Sequence, residues 1–73
     1  MQRQPVQSSL LKSVGYSPED ETLEVEFVKG GVYKYKQVSS QTHAELMSAP
    51  SLGSHFARNI RGQYDYEKVP GKS

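Results

Sequence analysis

The stretch TLEVEFVKGGVYKYK, residues 22–36, decides the fold. Leu23, Val25 and Phe27 share one parity, and Thr22, Glu24 and Glu26 share the other. That is the period-two pattern of a half-buried antiparallel strand. Beyond Gly30 and Gly31, Tyr33 and Tyr35 alternate with Lys34 and Lys36 in the same way. Alternating aromatics and lysines also describe a strand that holds nucleic acid, so the register of the hairpin matters. A loop of Gly30-Gly31 alone would set Phe27 against Lys34. A loop of Lys29-Gly30-Gly31 sets Val28 against Val32, Phe27 against Tyr33 and Val25 against Tyr35. On the other face it pairs Glu26 with Lys34 and Glu24 with Lys36. Each favourable cross-strand pair adds ~0.2–1 kcal/mol, and a one-residue slip loses all of them together. The longer loop also places Gly31 where a left-handed residue is wanted. The expectation is therefore the three-residue loop, with Tyr33 and Tyr35 as core rings.

Working outward, LLKSVGY (10–16) reads as a strand with Leu10, Val14 and Tyr16 on one parity, and SPEDE (17–21) has turn chemistry. SSQTHAELMS (39–48) reads as a short helix capped by Ser39 or Ser40, with Thr42, Leu46 and Met47 as its stripe and Pro50 as its stop. Ser51 then caps a second helix, LGSHFARNIRG (52–62). Leu52, Phe56 and Ile60 form its apolar line, Gly53 and Ala57 allow close approach, and Gly62 stands at the C-terminal cap. Ser54, Arg58 and Arg61 occupy its polar face. QYDYEKV (63–69) reads as a short edge segment. The predicted class is α+β: a three-stranded antiparallel meander followed by two short helices on one sheet face. The predicted domain spans residues 8–69, after a disordered segment 1–7 and before a tail 70–73.

At 73 residues the chain makes one domain at most. A domain of this size buries only ~60–65% of the surface of its unfolded form, which leaves little room for a deep catalytic cavity. The absence of cysteine excludes disulfides and thiolate metal sites. No segment has the pattern of a signal peptide or membrane helix, so a cytoplasmic protein is expected. Net charge is +1, low for a dedicated nucleic-acid binder, but the charge is uneven. PEDETLEVE (18–26) holds five acids and no base, whereas Lys29, Lys34, Lys36, Arg58 and Arg61 follow with only Glu45 among them.

The series Phe27, Gly30, Tyr33-x-Tyr35, Val38, Leu46, Ala49-x-Ser51-x-Gly53, Phe56, Ile60-Arg61 and Tyr64 resembles the KTSC domain. That family is named for the C-terminal extension of some lysyl-tRNA synthetases and also occurs as free-standing bacterial proteins. The resemblance runs from about Ser9 to Tyr66. It implies structural roles for Phe27, Gly30, Tyr33, Tyr35, Ser51, Gly53, Phe56 and Ile60, and it suggests RNA binding through the synthetase fusion. Two departures stand out. Ser39 replaces a proline that often follows the valine at Val38, and His43 and His55 stand where the family often has aromatic rings.

Patterns for chemistry are weak. His43 and His55 lie on different helices without zinc-site spacing. Ser51 and His55 are four apart, but Ser51 reads as a helix cap, and no nucleophile-elbow motif accompanies it. Glu24 and Glu26 read as a solvated ladder, and Gly30-Gly31 lacks the rest of a phosphate loop. The expectation is a non-catalytic module without cofactor or metal. Its sharpest candidate site is the start of the second helix, SLGS (51–54), with free N–H groups for an anion. Lys29, Lys34, Lys36, Ser54, Arg58, Arg61 and Tyr64 are the candidate RNA-binding residues, with Tyr66 beside Tyr64 as a further stacking ring. The plain alternative is a capped amphipathic helix with a solvated face. The alternative partner is a protein, or a second copy of the chain, docking on an exposed sheet edge.

Overall fold

The computed structural model describes residues 3–69. The expected tail at 70–73 and the first two residues of the expected loose end lie outside them. Five strands run β1 (Arg3–Pro5), β2 (Leu11–Ser17), β3 (Thr22–Phe27), β4 (Val32–Tyr35) and β5 (Tyr66–Lys68). Helices α1 (Ser40–Ser48) and α2 (Leu52–Asn59) fall between β4 and β5. The strands form one antiparallel sheet in the order β1-β2-β3-β4-β5. The α+β class, the central meander and the edge segment at Tyr66 agree with the sequence reading. The strand count does not: residues 3–5 form a strand where a disordered segment was expected.

The hairpin register also differs. Glu26 pairs with Val32, Val25 with Tyr33, Glu24 with Lys34 and Leu23 with Tyr35. This is two residues from the expected register, so every side chain keeps its predicted face while its partner changes. The loop is Val28-Lys29-Gly30, closed by Phe27 N–H donating to Gly31 O (3.0 Å) and Gly30 N–H donating to Phe27 O (2.9 Å). Gly30 and Gly31 have φ of +113° and +94°, a backbone that other residues adopt only with strain. The physical reason is steric. Gly31 stands opposite Phe27, and the Tyr33 ring lies over it; a Cβ there would meet Tyr33 Cε1 at 3.2 Å. That gap accommodates the Tyr33 ring, which meets Phe27 edge-on with centroids 5.3 Å apart. Val28, expected against Val32, is exposed in the loop.

In β2 a register shift between Leu11 and Ser13 changes the parity, so Leu11 rather than Leu10 enters the core. Leu11, Val14, Leu23, Val25, Tyr35, Val38, Leu46, Phe56 and Ile60 form the buried cluster. The Phe56 ring meets Tyr35 at 5.4 Å and Phe27 at 5.7 Å, both edge-on. This pins α2 to the sheet. Ser39 caps α1, accepting from Thr42 N–H at 3.2 Å. Ser51 takes the cap position of α2 but makes no side-chain cap bond, and the helix ends with Ile60 as its C-cap, two residues before Gly62. Gly53 does permit close approach: a Cβ there would lie 2.9 Å from Ser8 Oγ and 3.3 Å from Leu10 Cβ.

The outer face of the sheet carries a row of facing residues, Arg3, Gly15, Glu24, Lys34 and Glu67. Gly15 contributes no side chain, so the Arg3 guanidinium reaches across β2 to the Glu24 carboxylate. It also comes within 3.9 Å of Glu26, whose carboxylate accepts from Ser13 Oγ at 3.0 Å. Glu24 is consequently buried on a face that was expected to be solvated.

Candidate functional site

Between the hairpin tip, β5, the turn after α2 and the segment before β2 lies a groove of about 530 Å³. Phe27, Tyr33, Tyr35 and Tyr66 supply its aromatic wall, Leu10 its apolar end, and Lys29 and Arg61 its charge. Among the described residues no carboxylate lines it. The rings form a connected cluster. Tyr66 sits 5.6 Å from Tyr33 and 5.4 Å from Tyr35, and Tyr33 sits 5.3 Å from Phe27. The fold places them there because Val25↔Tyr33, Leu23↔Tyr35 and Tyr35↔Tyr66 all share the inward face. Tyr35 is buried against Phe56 and closes the floor. Burial raises its phenol pKa, an effect the nearby Arg61 charge partly opposes. Tyr66, by contrast, is 58% exposed and presents its ring to solvent.

A second groove of about 480 Å³ runs along the start of α2, lined by Ser8, Ser9, Ser51, Gly53 and Ser54 among others. No lysine or arginine lines it. Ser8 Oγ already accepts from Leu10 and Leu11 N–H.

The fold therefore divides the candidate residues read from the sequence. Lys29 and Arg61 come together with Gly30, Phe27, Tyr33 and Tyr35 in the aromatic groove. Ser54, Ser51 and Gly53 belong to the second groove. Lys34 stands on the opposite sheet face between Glu24 and Glu67. Lys36, expected to pair with Glu24, bonds Glu67 at 3.2 Å. Arg58 is exposed in the last turn of α2 and lines neither groove. Tyr64 packs against the core, and it is Tyr66 that lines the groove. Phe56 and Ile60 are core residues. Among the described residues the lysines and arginines do not converge on one face. Sequence reasoning missed Arg3, which was hidden in the expected loose end, and Leu10, whose place on the groove follows from the parity change in β2.

Among the described residues no group of three metal-ligating side chains gathers. His43 stacks on Tyr16 (centroids 4.5 Å, interplanar angle 9°), and burial lowers its pKa. His55 Nδ1 meets the Asn59 amide at 3.3 Å. No helix among the described residues is long and apolar enough to cross a membrane.

An antiparallel five-stranded meander, with two helices inserted before its last strand, defines a small α+β domain that carries an aromatic, cationic groove. The chain belongs to the KTSC domain family, whose model matches residues 7–70. It is 44% identical over 70 residues to an uncharacterized protein of Stutzerimonas stutzeri, covering 94% of this chain and 99% of that one. A lysine–tRNA ligase of Nostoc sp. carries a similar segment, 38% identical over 63 residues, covering 86% of this chain but 11% of the ligase. The crystal structure of a KTSC domain protein from Yersinia pestis superimposes with a TM-score of 0.92 at 40% identity, covering 94% of this chain and 97% of that one.

Proposed function

We propose that the domain is a non-catalytic module that binds RNA in the aromatic groove. The observation that carries this reading is the composition of that groove: four aromatic rings with Lys29 and Arg61, and no acid among the lining residues. Such a surface offers π-faces to bases and cations to phosphates, the combination that serves single-stranded nucleic acid. Among the described residues that line the groove there is no carboxylate, histidine or thiol to move a proton near neutral pH, which favours binding over chemistry. The lysine–tRNA ligases that carry a similar segment act on tRNA, and that lends the reading context. The edge-docking alternative has less room. The outer strands β1 and β5 span three residues each, and Pro5 offers no N–H to a partner strand.

The test is fluorescence anisotropy with a labelled single-stranded RNA at low salt. The reading predicts saturable binding that is clearly weakened by Lys29→Glu with Arg61→Glu and kept by Lys34→Glu. Undetectable binding, or binding indifferent to the double change, would sink it.

A further inference from the structure

The groove also indicates what form of RNA it takes, an inference that rests on the RNA reading above. We infer that it selects unpaired bases and holds them by stacking more than by charge. Tyr66 stands at the rim, 58% exposed, with Tyr33 and Tyr35 behind it at 5.6 and 5.4 Å. A ring packed against other rings and more than half exposed is a platform for a base that has left its own stack. A base inside a duplex cannot reach it, because its faces are already covered by its neighbours.

Charge is scarce at the same place. Among the described residues Lys29 and Arg61 are the cations that line the groove, and Lys68, paired with Tyr33 across the sheet, shares the face of that ring. Among the described residues Lys12 and Arg58 are exposed but line neither groove, and three further cations are paired or turned away. Arg3 is bound to Glu24 and Glu26, Lys36 to Glu67, and Lys34 faces the other side between Glu24 and Glu67. Duplex RNA is held mainly through phosphates and 2′-hydroxyls along a track, and these cations form no such track. Two phosphate contacts give a slope of log K against log salt of about −1.4 for a single strand, and three give about −2.1. Between about 50 and 200 mM salt that is a loss of ~7- to 18-fold. A site built on six to ten phosphate contacts would lose ~10³–10⁵-fold.

The experiment compares three labelled RNAs: a single strand, the same sequence closed into a stem, and the single strand with abasic sites that keep every phosphate. Binding is measured at both salt concentrations for the native chain, Tyr66→Ala and Tyr66→Phe, each checked for its native NMR spectrum. Tyr66 is exposed, so its variants should fold. The single strand should bind best, and removing its bases or the Tyr66 ring should weaken binding roughly 5- to 150-fold. Tyr66→Phe should bind like the native chain, and the salt loss should stay near tenfold. Equal binding of the abasic strand, preference for the stem, or a salt loss of a thousandfold would overturn the stacking inference while leaving RNA binding in place. Failure to bind any of the three overturns both.

Discussion

Replacing Arg3 by alanine tests whether a residue beyond the expected start of the domain helps hold the sheet. Arg3 joins β1 to β3 over the gap left by Gly15, and its partner Glu24 has an 11% exposed side chain against 28% for Arg3 itself. Removing one partner of a fully buried pair costs ~3–5 kcal/mol, because the other charge is left without compensation. An exposed pair is worth ~0–1 kcal/mol. The partial exposure of Arg3 places this pair between the two, at about 2 kcal/mol. A domain of this size has a total stability of ~4–11 kcal/mol, so the loss is a large fraction of it. In thermal unfolding it corresponds to a fall in Tm of ~8–16 °C. Arg58→Ala, which removes an exposed guanidinium, should change stability by less than ~0.5 kcal/mol and serves as the control. Arg3→Met combined with Glu24→Gln should recover part of the loss, because neither side then buries an unpaired charge. If Arg3→Ala unfolds at the native temperature, the row across the outer face contributes nothing and the argument from Gly15 is wrong.

Gly53→Ala should destabilise the domain by about 1 kcal/mol in urea titrations, although alanine favours a helix by about that amount; the added methyl meets Ser8 Oγ, which is fixed by two backbone N–H groups. Tyr16→Phe should cost about 1 kcal/mol by leaving the Val38 carbonyl without the phenol donor that reaches it at 2.5 Å. Burial, and then Glu21, raise the Tyr16 pKa, so the unfolded chain loses that proton first and stability should fall as pH rises above about 10; the variant should flatten that limb in pH-dependent melting. Burial lowers the His43 pKa, so the unfolded chain gains its proton first and stability should fall as pH drops below about 6.5, a loss that His43→Leu should reduce. Phe56→Ala should cost ~3–5 kcal/mol and broaden or abolish cooperative unfolding, since the ring joins α2 to both Tyr35 and Phe27.

The face of each residue in β3 and β4 was legible because period-two alternation survives any even slip. Leu23, Val25 and Tyr35 are buried as the pattern requires. The register itself was not legible, because pair preferences weigh directly opposed side chains and take no account of a ring lying over Gly31. The stripe of Leu46 and the line of Phe56 and Ile60 were readable from helical spacing. The strand at Arg3–Pro5 was not: three residues with a proline carry no periodicity, and the pairing depends on Glu24, which lies 21 residues away. The candidate site was half readable. Lys29 and Arg61 belong to the groove, but which of the remaining cations face it depends on ion pairs across strands that spacing alone does not reveal.

The most direct test of the central claim is a titration of the isotope-labelled domain with a short single-stranded RNA, followed residue by residue in NMR spectra. The account predicts shifts centred on Leu10, Phe27, Lys29, Tyr33, Arg61 and Tyr66, with Ser51–Ser54 and Lys34 unmoved. Shifts that map instead to the start of α2 or to the outer sheet face would contradict it.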